Sequence, residues 1–205
     1  MSVVGVIDFE TTGLSPAMGD RATEIAIVLL ERGQVVGRFQ SLMNAGVRIS
    51  AFIEDYTGIS NEMIRTAPPA TDVMSQALRF VGGAPLVAHN ASFDQRFWAS
   101  ELGRLGPDTR KDHSFACTML LSRRLYPQAG SYRLQSLASF HSLAPAGRAH
   151  RAMADAEVAA ALLARIRDDI QRAYEVDAPH ELLVKLQRTP RKGLPKAIEA
   201  YFKAE

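Results

Sequence analysis

The sequence predicts an α/β fold, a mixed sheet flanked by helices, on three observations. Residues 3–10 form an apolar, β-branched run that stays apolar until its last positions, the pattern of a strand buried on both faces. Two further strand-like runs, 23–31 and 34–43, flank the dipeptide Arg32-Gly33 as a hairpin would. Beyond them helical patterns dominate, interrupted by one more short strand, and this order suits a sheet covered by helices.

Residues 49–65 hold short helical pieces, which Pro68-Pro69 ends. A helix is expected over 71–81 and a strand over 85–88. Asn90 is a preferred cap residue and Gly103 a preferred stop, so a helix is expected between them. Residues 118–126, 134–142 and 152–174 are the remaining helical patterns. Past Asp177 the composition changes. Residues 185–203 carry Lys185, Arg188, Arg191, Lys192, Lys196 and Lys203 against Glu199 alone, broken by Pro190 and Pro195. This divides the chain into a domain over 1–177 and a basic C-terminal appendage over 178–205.

With 205 residues, 47% hydrophobic and 22% charged, the chain has the length and composition of one globular domain. Disordered, collagen-like and disulfide-scaffold classes are excluded. Cys117 is the single cysteine and sits among apolar residues, so it reads as a small buried hydrophobe. The first ten residues lack a basic start and include Asp8 and Glu10, unlike a signal peptide. The apolar runs 25–30 and 158–164 are too short to span a bilayer. The expectation is a cytoplasmic protein with no membrane partner. The net charge of +2 points to no partner, yet it is a sum of unlike parts. The six bases and one acid of 185–203 leave a surplus of +5 there and −3 elsewhere.

Asp8 and Glu10 end the most apolar strand. Residues two apart share a face, so the two carboxylates lie side by side while Phe9 faces away. Like charges at a buried strand end repel one another and lose hydration, which calls for something cationic beside them. A second constellation, His89-Asn90-Ala91-Ser92-Phe93-Asp94, follows the short strand and opens a helix, and strand carboxyl ends are where α/β sites gather. The third is His150-Arg151-Ala152-Met153-Ala154-Asp155. Five helical steps turn through roughly 500°, so His150 and Asp155 can serve one site only if His150 lies in the loop before the helix. The breaker cluster Pro145-Ala146-Gly147 upstream permits that.

Together these segments resemble the DEDDh family of 3′–5′ exonucleases. Asp8-Phe9-Glu10-Thr11-Thr12-Gly13-Leu14 is similar to its first motif, His89 to Asp94 to its second, and His150 with Asp155 to its third. Tyr56-Thr57-Gly58-Ile59-Ser60 also fits the family. Leu14, where ribonuclease T has an aromatic, and Thr11-Thr12 lean toward the type that proofreads for bacterial DNA polymerase III. The resemblance implies a ribonuclease-H-like fold and release of nucleoside monophosphates from the 3′ end of single-stranded DNA. A DNA polymerase subunit is an implied partner.

It further implies that Asp8, Glu10, Asp94 and Asp155 hold two divalent cations, Mg²⁺ or Mn²⁺, with Asp8 shared between them. Those ions would bring the chain to +6, a charge suited to a nucleic-acid strand. His150 would take a proton from the attacking water. Backbone at Thr12 and Gly13 would meet the terminal sugar, and Leu14 would wedge between the last bases. Phe93 either supports that pocket or packs in the core, and His89 and Asn90 either support the site or cap the helix. Two rival readings keep the motifs: an exoribonuclease or oligoribonuclease-like enzyme, and a non-catalytic polymerase-associated or nucleic-acid-binding module. For the tail the readings are a helix over 194–202 docking a polymerase subunit, a segment over 185–203 tracking a phosphate backbone, or a loosely packed basic terminus.

Overall fold

The computed structural model describes residues 3–106, 109, 113–144, 147 and 149–203. Strands β1 (Val4–Thr11), β2 (Ala22–Glu31), β3 (Gln34–Leu42), β4 (Leu86–Ala88) and β5 (Phe115–Cys117) form one sheet in the order β3-β2-β1-β4-β5. The β1–β2 and β2–β3 pairs are antiparallel, whereas β4 runs parallel to β1 and β5 parallel to β4. The sheet is therefore mixed, as expected. The hairpin turn matches its sequence: Arg32 and Gly33 both have positive φ (50° and 78°), the pairing whose twist suits adjacent antiparallel strands.

The helices are α1 (Ala51–Thr57), α2 (Asn61–Thr66), α3 (Ala70–Val81), α4 (Ser92–Gly103), α5 (Thr118–Leu125), α6 (Leu134–Phe140), α7 (Ala152–Tyr174), α8 (His180–Leu186) and α9 (Leu194–Phe202). One face of the sheet packs Val4, Val6, Ala26 and Val28 against α7 and its neighbours through Leu162, Leu163 and Ile166. The other packs Ile7, Ile25 and Ile27 against α3 and α4 through Met74, Phe97 and Trp98. The centre of the sheet is buried on both sides, which is why β1 and β2 read as near-continuous apolar runs.

Two expectations are corrected by the packing. Asn90 does not cap α4 with its side chain: the cap position is Ala91, which makes no side-chain cap bond. Asn90 instead takes φ 65°, a conformation Asn tolerates better than most residues, and its carbonyl accepts the Phe93 N–H at 2.9 Å. The tail is also more than a loose basic terminus. Leu182, Leu183, Leu186, Leu194 and Ile198 are buried in the same core as Val4 and Leu163, so the change of composition at Asp177 does not divide the core. The apolar side of α9 is thereby used within the chain.

Strand β5 went unpredicted because three residues carry no readable alternation. Its free edge is satisfied by a side chain: Gln187, just past α8, accepts the Cys117 N–H at 2.6 Å and donates to the Phe115 carbonyl at 3.1 Å. An amide thus stands where a further strand would pair. Cys117 is buried, in line with its apolar setting. Pro145 and Ala146 of the breaker expected before α7 lie outside the described residues, and Gly147 has φ 129°. No helix among the described residues is long and apolar enough to cross a membrane.

Candidate active site

Alternation along β1 places Val4, Val6, Asp8 and Glu10 on the face that α7 covers. The apolar ladder ends in two carboxylates just where the first turn of α7 presents Asp155. Ligand oxygens of Asp8, Glu10 and Asp155 lie within 4.8 Å of one another. Asp94, in the first turn of α4, is 2% exposed and accepts the backbone N–H of Phe9 at 3.2 Å. That bond ties the second motif to the strand carrying the first. All four acids predicted from the sequence are therefore gathered at the carboxyl ends of the parallel strands.

Their electrostatics are unfavourable in the metal-free chain. Burial is the main force raising Asp8 well above the ordinary carboxylate range, followed by the charges of Asp94, Glu10 and Asp155. Glu10 is pushed up to about 8 by burial and then by Asp155 and Glu24, against the opposing charge of Arg151. Asp94 is raised by burial despite the backbone bond from Phe9. Asp155 is raised by burial although it accepts the His150 backbone N–H at 3.0 Å and the Gln135 amide at 2.9 Å. Four clustered carboxylates that resist ionisation, with hard oxygen donors facing one another, fit small divalent cations.

His150 lies in the loop before α7, as the helical geometry required. Its φ of 61° turns the chain so that its own N–H meets Asp155, while its ring stacks on Tyr56 with centroids 4.0 Å apart. Tyr56 in turn stacks on Phe52 at 5.9 Å. Asp8, Tyr56, Asn90, His150 and Asp155 border one open cleft of about 1080 Å³, and Arg123, Tyr132 and Arg133 form a further stretch of its wall. His89 is held neutral by burial, at about 4, and its ring bridges Thr118 (2.9 Å) and the Tyr132 carbonyl (3.0 Å). Since the carbonyl can only accept, Nε2 carries the proton and the Thr118 hydroxyl donates to Nδ1. His89 fastens that wall to the second motif.

The loop after β1 holds Thr12, Gly13 and Leu14. Leu14 is 78% exposed. Phe93 is half-buried, its ring 4.9 Å from Phe97, and it packs against the core. Gly13 is required by a close approach: a Cβ there would sit 2.4 Å from Asp20 Oδ1. The Asp20 carboxylate cannot readily yield, because it accepts the Ser15 N–H at 2.9 Å and the Thr12 hydroxyl at 3.4 Å. Gly13→Ala is expected to break this lock, lowering stability by about 1 kcal/mol and raising KM for an oligonucleotide several-fold with kcat nearly unchanged. Steady-state kinetics and a urea titration check both effects.

Sequence reasoning missed Glu24 and Arg151. Glu24 pairs in register with Glu10 across β1 and β2, is 1% exposed, and sits between the sheet and the start of α7. Arg151 donates to both its oxygens at 3.2 and 2.8 Å, Gln40 donates at 2.9 Å, and the Ala152 N–H at 3.1 Å. Burial alone would raise the Glu24 carboxyl, but these bonds outweigh it and hold it below its ordinary value. A carboxylate set into the apolar run of β2 was the available signal, the same kind that singled out Asp8.

A family model described as Exonuclease (RNase_T) matches residues 6–163. The 3′-5′ exonuclease DinG of Bacillus subtilis (strain 168) is 37% identical over 183 residues, which are 89% of this chain and 19% of that protein. A DNA polymerase III PolC-type of Caldanaerobacter subterraneus subsp. tengcongensis is 36% identical over 166 residues, 81% of this chain and 12% of that protein. The chain thus spans a fifth or less of these relatives. Exonuclease X in complex with 5′ overhanging duplex DNA superimposes with a TM-score of 0.69 at 28% identity, covering 90% of this chain and 99% of that one.

Proposed function

Since this chain belongs to the exonuclease family and is related to its DEDDh 3′–5′ members, we propose that it removes nucleoside monophosphates one at a time from the 3′ end of DNA with two divalent cations, Mg²⁺ or Mn²⁺. The observation that carries this is the meeting of Asp8, Glu10 and Asp155 within 4.8 Å, with Asp94 bonded to Phe9 behind them. The ions supply neutralisation of the scissile phosphate and activation of the attacking and departing oxygens. Asp8, raised by burial and by the charges of Asp94, Glu10 and Asp155, would hold the ions together with those three acids.

His150 accepts the proton of the attacking water. Its ring borders the cleft and rests on Tyr56, and the backbone bond to Asp155 fixes its loop beside the carboxylates. Backbone at Thr12 and Gly13 receives the terminal sugar, with exposed Leu14 free to enter between the last bases. Asn90 and Phe93 lend support at the mouth of α4. Single-stranded DNA fits the open cleft, whose Arg123 and Arg133 face the phosphates. The likeness to PolC-type polymerases supports a polymerase as partner and the cytoplasm as the place of work.

End-labelled single-stranded DNA, mismatched duplex and RNA, each with Mg²⁺, Mn²⁺ or EDTA, test the proposal. A ladder shortening from the 3′ end, fastest on DNA and absent in EDTA, is expected. Internal cleavage, or activity that survives EDTA, overturns it. His150→Gln is expected to lower kcat about 100-fold, within the usual range for a general base, with KM changed less than about twofold.

A further inference from the structure

We propose that a second groove, floored by Tyr126 and Leu194, binds the phosphodiester backbone of the substrate strand upstream of its 3′ end. This rests on the function proposed above and adds where the rest of the strand runs. The groove has a volume of about 610 Å³ and lies between the end of α5, the last turns of α7, and the approach to α9. Arg124, Arg191 and Lys192 line it. Among the described residues none of the three has a carboxylate partner, and the Arg124 Nε is buried without any hydrogen-bond partner.

The one acid in the lining, Asp169, is already engaged by other groups. It accepts the Tyr126 hydroxyl at 2.8 Å and Arg165 at 2.8 Å, and Arg172 stands 3.6 Å away. The groove therefore presents uncompensated positive charge over an aromatic and aliphatic floor.

The groove is joined to the candidate active site. Helix α5 puts Met119 and Arg123 on the catalytic cleft and Arg124 and Leu125 on the groove. Arg123 lies 5.7 Å over the ring of Tyr132, whose hydroxyl donates to the Tyr126 carbonyl at 3.1 Å. Arg133, Arg123, Arg124, Arg191 and Lys192 thus form a basic path from the cleft to the far groove. A charged polymer leaving the active site meets cations in succession. An acidic peptide would need only the local patch, and the continuity of the path favours the nucleic-acid strand.

The test compares wild type with Arg191→Glu/Lys192→Glu and with the neutral pair Arg191→Gln/Lys192→Gln, all at exposed positions. Binding of a 3′-ended single-stranded DNA about 20 nucleotides long is measured against salt in Ca²⁺, alongside hydrolysis of thymidine 5′-monophosphate p-nitrophenyl ester in Mn²⁺. The ester occupies the metal centre alone. The expected result is unchanged ester hydrolysis and melting temperature, with strand affinity about tenfold weaker for the charge reversal and a salt slope smaller by about 1.4 for two lost phosphate contacts. The neutral pair should show a smaller loss of the same kind. Unchanged strand affinity and slope, with ester hydrolysis intact, overturn the groove and leave the active-site reading standing. Failure of wild type to hydrolyse either substrate overturns that reading instead.

Discussion

Asp8→Asn is expected to abolish exonuclease activity, by on the order of 10³-fold or more, while making the metal-free protein more stable. The two effects have one cause. Asp8 lies among Asp94, Glu10 and Asp155, and burial together with their charges raises its carboxyl well above the usual range. A neutral amide of the same shape removes the repulsion and the shared ligand together. In EDTA at pH 8 the variant should melt above wild type, and added Mg²⁺ should raise wild type far more than the variant. A variant that melts lower in EDTA at pH 8, or that gains equally from Mg²⁺, would count against a metal-binding cluster.

The sign of the pH dependence follows from the same acids. Below pH 4 the folded and unfolded chains are both protonated at Glu10, and no cost arises. As pH rises past the ordinary value of 4.5 the unfolded chain releases its proton, while the folded chain keeps it until about 8. Stability in EDTA should therefore fall between pH 4.5 and 8 and level off above, a displacement worth on the order of 5 kcal/mol at this 9%-exposed group. The advantage of Asp8→Asn should shrink as the pH is lowered through the same interval. Mg²⁺ should act in the opposite direction, stabilising more as pH rises, because its ligands must be ionised.

The second large effect concerns Glu24. Glu24→Ala leaves the Arg151 guanidinium, the Gln40 amide and the Ala152 N–H without their common acceptor. Glu24 is the buried acceptor of a pair whose Arg151 is partly exposed, so the cost falls mainly on the donors left without a partner, and a loss of roughly 2 kcal/mol is expected. Activity should fall with it, because Arg151 is the residue between His150 and α7 and its bond to β2 fixes where both third-motif residues point. Glu24→Gln keeps a hydrogen-bonding side chain and should recover about half of the stability. A shift in the urea midpoint at unchanged slope reads the first effect, and kcat at a temperature well below melting reads the second. A midpoint equal to wild type would show that Glu24 does not hold the third motif.

The comparison of Asp8 with Glu24 shows what a sequence displays. Asp8 and Glu10 stood out as a pair because period-two alternation puts both on one face of a strand that is otherwise apolar. Glu24 carried the same kind of signal singly, and a single carboxylate near a strand start is too common to distinguish. Its partners, Arg151 and Ala152, are more than 120 residues away in the chain, and only the packing of α7 on β2 brings them to it. The tail divides in the same way. Its charge was legible, but the burial of Leu182, Leu186 and Leu194 was not, because a basic composition conceals an apolar side spaced by helical turns.

The motif resemblance singled out Asp94 and Asp155, whereas local chemistry alone determined the fold class, the hairpin at Arg32-Gly33, the pairing of Asp8 with Glu10 on one strand face and the need for His150 to precede its helix. Each follows from periodicities of two or 3.6 residues and from the cost of burying like charges, which neighbours in sequence reveal. Tertiary structure alone decided that Asp94 bonds to Phe9, that Glu24 anchors the third motif, that Gln187 closes the sheet edge, and that Tyr56 supports His150. Those pairings all join residues 70 to 128 positions apart, and no short-range pattern encodes a contact whose partners meet only when both faces of the sheet are covered.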